Sequence, residues 1–230
     1  EMAEERIAER IDANLLDVTM EDLHDMPKQL YDGKIKKLRE KTQGQLIVKE
    51  YPTASAHAGH FKSLINELAL KKSFRPDVIF IDYLNICASS RFKGGNISSY
   101  FYIKAIAEEL RGLAVEQNVP IFSATQTTRT GFVSTDIGLE DTSESFGLPA
   151  TADFMFALMS NEELEQLGQM KVKQLKNRYN DPSVNRAFII GVDRAKMRLY
   201  DVQQASQNIV DSGQVEEKED AYNKFSDFKL

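Results

Sequence analysis

The chain has 230 residues, of which 42% are hydrophobic and 28% charged, and its formal net charge is −6 at pH 7. No apolar run approaches the roughly 20 residues that a membrane span needs, so we expect a globular protein with no membrane association. The acidic balance excludes wholesale coating of nucleic acid with positive charge but permits binding through local loops. The single cysteine, Cys87, excludes an intrachain disulfide and fits a reducing cytosol. We expect Cys87 to be a small buried residue.

Apolar periodicity divides the first half of the chain into helices and strands. Helices are predicted over residues 3–16, 30–41, 61–71 and 99–117, and strands over residues 45–51, 77–82 and 119–124. Thr19 is positioned to cap a further helix between the first two. Helices that alternate with short apolar strands predict an α/β fold with a mostly parallel, doubly wound sheet.

The second half predicts strands at residues 152–159, 172–176, 186–192 and 198–202. The last three follow one another closely, which predicts antiparallel pairing at one edge of the sheet. Asn161 is positioned to cap a short helix. From Gln203 the chain becomes polar and then acidic, so we predict a domain over residues 1–202 and a mobile tail over 203–230.

The strand at residues 77–82 ends in Asp82. In open α/β sheets the ligand crevice lies outside the carboxyl ends of the strands. An acid at that position can hold Mg²⁺ against the phosphates of a nucleotide. The alternative is an acid that only caps a turn.

Gln126 follows the neighbouring strand, where a polar side chain can reach a γ-phosphate or its attacking water. Taken alone, Gln126 is more typical of an ordinary loop amide. Lys176 and Arg178 lie two apart on a predicted strand and therefore face the same side, where two cations can grip a phosphate. An isolated pair of this kind is more often surface charge.

Two polar segments are candidates for contacts to a nucleic-acid strand. The first contains Arg91 and Lys93 around a Gly-Gly pair, and the second begins at Arg129 and continues through the Ser- and Gly-containing segment at residues 141–147. Backbone-led contacts and local positive charge suit a phosphate backbone. The alternative is a pair of flexible loops. His57 and His60 are three apart, but no third ligand stands beside them, which disfavours a zinc site.

Taken in order, these segments resemble the carboxyl-terminal ATPase domain of DnaB-type replicative helicases, most closely those of T-even-like phages. The opening Glu1–Glu5 is similar to the end of the family's second motif, and Asp77–Asn85 to its Walker B strand. Phe122–Gln126 is similar to the third motif, Asp141–Asp153 to the fourth, and Lys176–Arg178 to the Lys-x-Arg pair. The resemblance covers about residues 1–202 and implies a RecA-like sheet with an antiparallel extension.

The resemblance implies an ATP-dependent helicase that uses Mg²⁺, forms a homo-hexameric ring and translocates on single-stranded DNA. It implies that Glu1 polarises the attacking water, Asp82 holds the metal and Gln126 senses the γ-phosphate. It implies that Lys176 and Arg178 reach the nucleotide of the neighbouring subunit. Primase and a helicase loader are implied partners, and the host cytoplasm is the implied location. We also expect the acidic tail to bind another replication protein.

Two departures from the family concern the fourth motif, where Ser143 replaces a basic residue and Phe146 replaces a glycine. Together with Glu144 they form the predicted DNA contact of that loop. The larger departure is the absence of any Gly-x-x-x-x-Gly-Lys-[Ser/Thr] segment, which predicts that the chain is a fragment without its phosphate-binding loop. The alternatives are a non-catalytic RecA-like module that binds DNA or a partner, and a RecA-like recombinase or circadian-type ATPase. The Glu-Met opening and the Lys-x-Arg pair favour the helicase over the last two.

Overall fold

The structure, a computed structural model, describes residues 2–92, 97–127, 138–139, 147–181 and 184–203. The helices are α1 Glu4–Leu16, α2 Met20–His24, α3 Lys28–Lys41, α4 Ala58–Lys72, α5 Ser99–Gln117, α6 Gly147–Thr151 and α7 Glu162–Gln166. The strands are β1 Ile79–Ile81, β2 Ile121–Ser123, β3 Phe154–Met159, β4 Gln169–Asn177, β5 Ala187–Asp193 and β6 Arg198–Asp201. None of the helices in these ranges is both long enough and apolar enough to cross a bilayer.

Local signals set the ends of the amino-terminal helices. Helix α1 ends where Asp17 adopts the left-handed conformation, with φ of 54°. Thr19 then caps α2, since its Oγ1 accepts a hydrogen bond of 3.0 Å from the Asp22 amide, which confirms the predicted cap. Helix α3 is held against α1 by a 2.7 Å hydrogen bond from the Tyr31 hydroxyl to Asp12, and this bond raises the pKa of Tyr31 to about 12.

Strands β1 and β2 form the parallel part of the fold. They pair with Ile79 opposite Ile121 and Ile81 opposite Ser123. Helix α5 lies between them in the chain and supplies most of the core, with Ile106 only 1% exposed. Cys87 is buried in the same core, as predicted, and burial raises the pKa of its thiol to about 11. The carboxyl end of the parallel strands is therefore built on a packed helix.

The antiparallel extension is a separate four-stranded sheet in the order β3-β4-β5-β6. Its three strand pairs are all antiparallel, so the predicted antiparallel pairing of the last strands is confirmed. Asn161 caps α7 through a 2.8 Å bond from the Leu164 amide to its side chain, also as predicted. Ala157, Met159 and Leu175 form a small apolar cluster on one face of the sheet.

The predicted strand at residues 45–51 is wrong. This segment has no regular secondary structure, and Leu46 is 65% exposed. The alternation of side chains was present, but no strand among the described residues lies beside the segment to complete its backbone hydrogen bonds. The Glu50 amide instead donates to Oε1 of Glu4 at 2.8 Å, so a side chain of α1 takes the place of a sheet partner.

His57 and His60 have a local structural role. His57 accepts a 3.0 Å hydrogen bond from the Gly59 amide through Nδ1, and His60 accepts one of 3.2 Å from the His57 amide. The two imidazoles therefore form a reciprocal cap at the start of α4.

Candidate functional site

Asp82 lies immediately beyond the carboxyl end of β1, on the exposed edge of the parallel strands. Within the part of the chain that the structure describes, no cation or amide pairs with its carboxylate. An exposed, unpaired acid at a strand end is available to a ligand. A turn-capping role would require a hydrogen bond to this side chain from a nearby amide, and the described residues contain none.

The segments that follow β1 and β2 are joined by a short series of hydrogen bonds. The Leu84 amide donates to the Ala124 carbonyl at 3.2 Å, and the Thr125 hydroxyl donates to the Asn85 side chain at 2.8 Å. These bonds continue the strand pairing past the end of the sheet. They hold the chain on either side of Asp82 in a defined position.

Gln126 is brought beside the same edge. Its Nε2 donates to the hydroxyl of Tyr83 at 3.4 Å, and Tyr83 directly follows Asp82. The structure thus brings Gln126 within hydrogen-bond reach of the residue that follows Asp82, and its role at a phosphate stays a prediction. A carboxylate and an amide on the same edge of the parallel strands suit a phosphorylated ligand and its attacking water.

This donor set fits Mg²⁺ in the form in which proteins usually bind that ion. Mg²⁺ keeps several waters and takes one or two carboxylates together with the phosphates of its substrate. Asp82 supplies one exposed carboxylate, and the described residues contain no cluster of three or more acids, histidines or cysteines. The site thus suits a metal that arrives with a nucleotide better than a metal held by protein ligands alone.

Lys176 and Arg178 form a second polar group, at the end of β4, and they face the same side as predicted. The Lys176 amine donates to the carbonyl oxygens of Pro149 and Ala150. The Arg178 guanidinium donates to Oδ1 of Asp153 at 2.7 Å and to the Ala150 carbonyl at 3.3 Å. Both cations therefore bind α6, Arg178 also binds the residue that precedes β3, and neither binds the Asp82 edge.

The electrostatics of this group are dominated by positive charge. Arg111 of α5 also pairs with Asp153, at 2.8 Å, so two guanidinium groups share one carboxylate, and Lys176 lies nearby on the carbonyls of α6. Burial lowers the pKa of Lys176, and the charge of Arg178 lowers it further, against the opposing effect of Asp153. Since Arg178 is 42% exposed in its side chain, the excess positive charge is accessible to an anion from outside.

The residues before the first predicted DNA loop are held by one carboxylate. Glu109 of α5, with a side chain only 6% exposed, accepts hydrogen bonds from the Ser89 hydroxyl at 2.6 Å and from the Ser90 amide at 2.9 Å. Arg91 pairs with Glu108 and lies 3.9 Å from Glu109. Arg91, predicted to contact DNA, is thus also part of the anchor that positions the start of its own loop.

Replacing Glu109 with glutamine is expected to loosen this anchor by about 2–3 kcal/mol, because a charged acceptor is lost and an amide donor is brought against donors. Burial alone raises the pKa of Glu109, but its hydrogen bonds from Ser89, Ser90 and Arg91 outweigh that, and the pKa lies below the ordinary 4.5. The stabilisation is therefore complete above that value and is lost as the pH falls through the lowered pKa of the folded state. Amide hydrogen exchange at Ser90 and Arg91 should accelerate in the variant at pH 7.

Glu108→Gln is the matched control, because the neighbouring acid is 37% exposed and pairs with Arg91 at the surface. Such exposed pairs contribute at most about 1 kcal/mol, so exchange at Ser90 should remain near the wild-type rate. Equal acceleration in both variants would show that Glu109 has no special role in holding the loop.

Several predicted site residues lie outside the described residues, and their placement stays a prediction. They are Glu1, Lys93, Arg129, Ser143, Glu144 and Phe146.

Four residues that sequence reasoning did not single out belong to these groups. Glu109 and Arg111 lie on α5 among apolar residues, and their partners are 20 and 42 residues away. No spacing signal connects such distant positions. Tyr83 and Asp153 lay inside recognised motifs, so their neighbours could have drawn attention to them.

The family model of the DnaB-like helicase C terminal domain matches residues 1–197. The chain belongs to this family. A DnaB-like replicative helicase of Enterobacteria phage T4 is 44% identical to this chain over an alignment of 232 residues. The alignment covers 97% of this chain and 49% of that protein. The chain thus spans about half the length of that relative.

Solved structures support the fold. A DnaB-like replicative helicase, solved with its interactions with primase, matches 88% of this chain and 49% of its own with a TM-score of 0.69 at 16% identity. A second solved structure, of an ATPase domain, matches 88% of this chain and 72% of its own with a TM-score of 0.71 at 17% identity. The predicted RecA-like α/β architecture is therefore confirmed.

Proposed function

We propose that this chain is the greater part of the ATPase domain of a replicative DNA helicase that hydrolyses ATP, translocates on single-stranded DNA and unwinds duplex at the fork. The carrying observation is the joined edge of the parallel strands, where Gln126 bonds to Tyr83, the residue that follows Asp82. This proposal includes a homo-hexameric ring, contacts with primase and a loader, and activity in the cytoplasm of a phage host.

Each predicted site residue would have a separate role that follows from its position. Asp82 would hold the Mg²⁺ that accompanies ATP, and that ion would neutralise charge on the phosphates. Gln126 would orient water or contact the γ-phosphate from the neighbouring strand end, and Glu1 would polarise the water. Lys176 and Arg178, which bind α6 and not the Asp82 edge, would act on the nucleotide of an adjacent subunit.

Exposed aromatic residues support the view that further polypeptide completes this domain. Phe80 and Phe122 stack at 5.3 Å on the parallel strands, and they are 72% and 48% exposed. Two strands alone are marginally stable, and exposed apolar patches usually mark an interface. We propose that the remaining half of the parent protein covers this face and supplies the phosphate-binding loop, and that residues 203–230 form a tail outside the domain.

The isolated 230-residue chain is therefore expected neither to bind nor to hydrolyse ATP appreciably, because its sequence lacks the segment whose backbone amides and lysine hold the β- and γ-phosphates. Calorimetric titration with Mg-ATP would measure this, with the full-length protein as the positive control. Micromolar affinity in the isolated chain would contradict the proposal that the phosphate-binding loop lies outside it.

The second candidate function is a non-catalytic RecA-like module that binds DNA or a partner. The absence of a Walker A segment from these 230 residues favours it. The two functions differ in the parent protein, where single-stranded DNA should stimulate ATP hydrolysis only if the helicase proposal holds. A full-length protein that binds DNA without any ATPase activity would support the module.

A further inference from the structure

Asp153 connects three elements of the fold through one carboxylate. It lies between α6 and β3, and its Oδ1 accepts bonds from Arg111 of α5 at 2.8 Å and from Arg178 after β4 at 2.7 Å. Its backbone carbonyl also accepts the Arg178 amide at 3.0 Å. Arg178 is thus fixed to Asp153 by both its backbone and its side chain.

Through Arg111, Asp153 is held to a helix of the buried core. Arg111 belongs to α5, whose inner face is buried through Ile103, Ile106 and Leu110. Arg111 also donates to the Thr151 carbonyl, while Lys176 donates to the Pro149 carbonyl and Arg178 to the Ala150 carbonyl in the same helix. Three cations therefore cap the end of α6, where helix carbonyls lack partners and favour positive charge.

The fork at Arg178 remains open for a further ligand. Asp153 and Ala150 take two of the five N–H donors of the guanidinium, and the side chain is 42% exposed. Because two guanidinium groups share this one carboxylate and Lys176 binds neutral carbonyl oxygens beside them, the group keeps an excess of positive charge. An anion can approach Arg178 from the solvent side while Asp153 holds it from behind.

We propose that Asp153 is a positioning residue that, backed by Arg111, pre-orients Arg178 toward a phosphate of the adjacent subunit. This inference rests on the proposed function. Exposed ion pairs contribute little to stability, so the main effect of Asp153 falls on the geometry of Arg178 and not on folding. A long, flexible arginine gains most from such support when it must meet a transition state in one orientation.

In the full-length protein, Asp153→Asn is expected to lower kcat for DNA-stimulated ATP hydrolysis by about tenfold to a hundredfold, with KM for ATP within about twofold. Asp153→Glu keeps the charge and should lie between the wild type and Asp153→Asn. The matched control is Glu165→Gln, which removes the carboxylate of an exposed ion pair with Arg194, away from this group. It should leave kcat near the wild-type value.

Asp153→Asn combined with Arg178→Lys tests whether Asp153 acts by positioning Arg178 or has an effect on hydrolysis of its own. If Asp153 acts through the Arg178 guanidinium, adding Asp153→Asn to Arg178→Lys should change kcat by less than about twofold. A full additional loss, an unchanged kcat in the single variant, or a fall in melting temperature larger than that of the control would each overturn the inference.

If Arg178→Ala itself left kcat unchanged, the proposed role of Arg178 would fail. A normal kcat for Asp153→Asn beside an inactive Arg178→Ala would overturn only the inference.

Discussion

Arg178→Ala in the full-length protein is expected to reduce ATP hydrolysis by about three to five orders of magnitude, the range typical of an arginine that acts on a neighbouring nucleotide. ATP binding should persist, because such an arginine acts on charge that develops in the transition state. Steady-state hydrolysis and equilibrium binding of a fluorescent nucleotide measure the two quantities separately.

The position of Arg178 supports an action in trans. Arg178 follows the end of β4, where its side chain binds Asp153 and Ala150 and lies away from the edge that carries Asp82. Mixing variant with wild-type subunits should therefore reduce activity by more than simple dilution. A reduction in proportion to the variant fraction would exclude the trans assignment. Arg194→Ala is the matched control, since this arginine pairs at the surface with Glu165 and should leave hydrolysis unchanged.

Asp82→Asn is expected to reduce Mg²⁺-dependent hydrolysis by about two orders of magnitude or more, because loss of metal-assisted charge stabilisation costs several kcal/mol of the barrier. The free energy of unfolding should change by less than about 0.5 kcal/mol, since the side chain is exposed and unpaired among the described residues. Activity at increasing Mg²⁺ concentrations, together with thermal unfolding, measures both effects.

Asp77→Asn provides the control at the opposite end of the same strand. Asp77 is also exposed but precedes β1, at the amino end where parallel strands carry no ligand crevice. It should leave hydrolysis near the wild-type level. A destabilised Asp82→Asn variant with normal activity per folded molecule would mark Asp82 as a structural residue.

The local elements were predictable because their signals are contained in neighbouring residues. Helix α5 runs from Ser99 to Gln117 as predicted, and it ends because Asn118 adopts the left-handed conformation that a helix end tolerates. The period-two spacing of Lys176 and Arg178 likewise placed both on one side of β4. The order of the motifs was sufficient to identify the family, which the matched family model confirms.

Tertiary structure decided the features that depend on distant partners. Residues 45–51 have the alternation of a strand, yet a strand forms only where another lies beside it, and Glu4 of α1 takes that place. Glu109 and Arg111 looked like ordinary charges on a helix. Their roles arise because the fold brings Ser89 and Asp153 against them. Periodicity and turn chemistry act over a few residues and are legible in the sequence, whereas the meeting of a carboxylate and a guanidinium 42 residues apart is determined only when the core has packed.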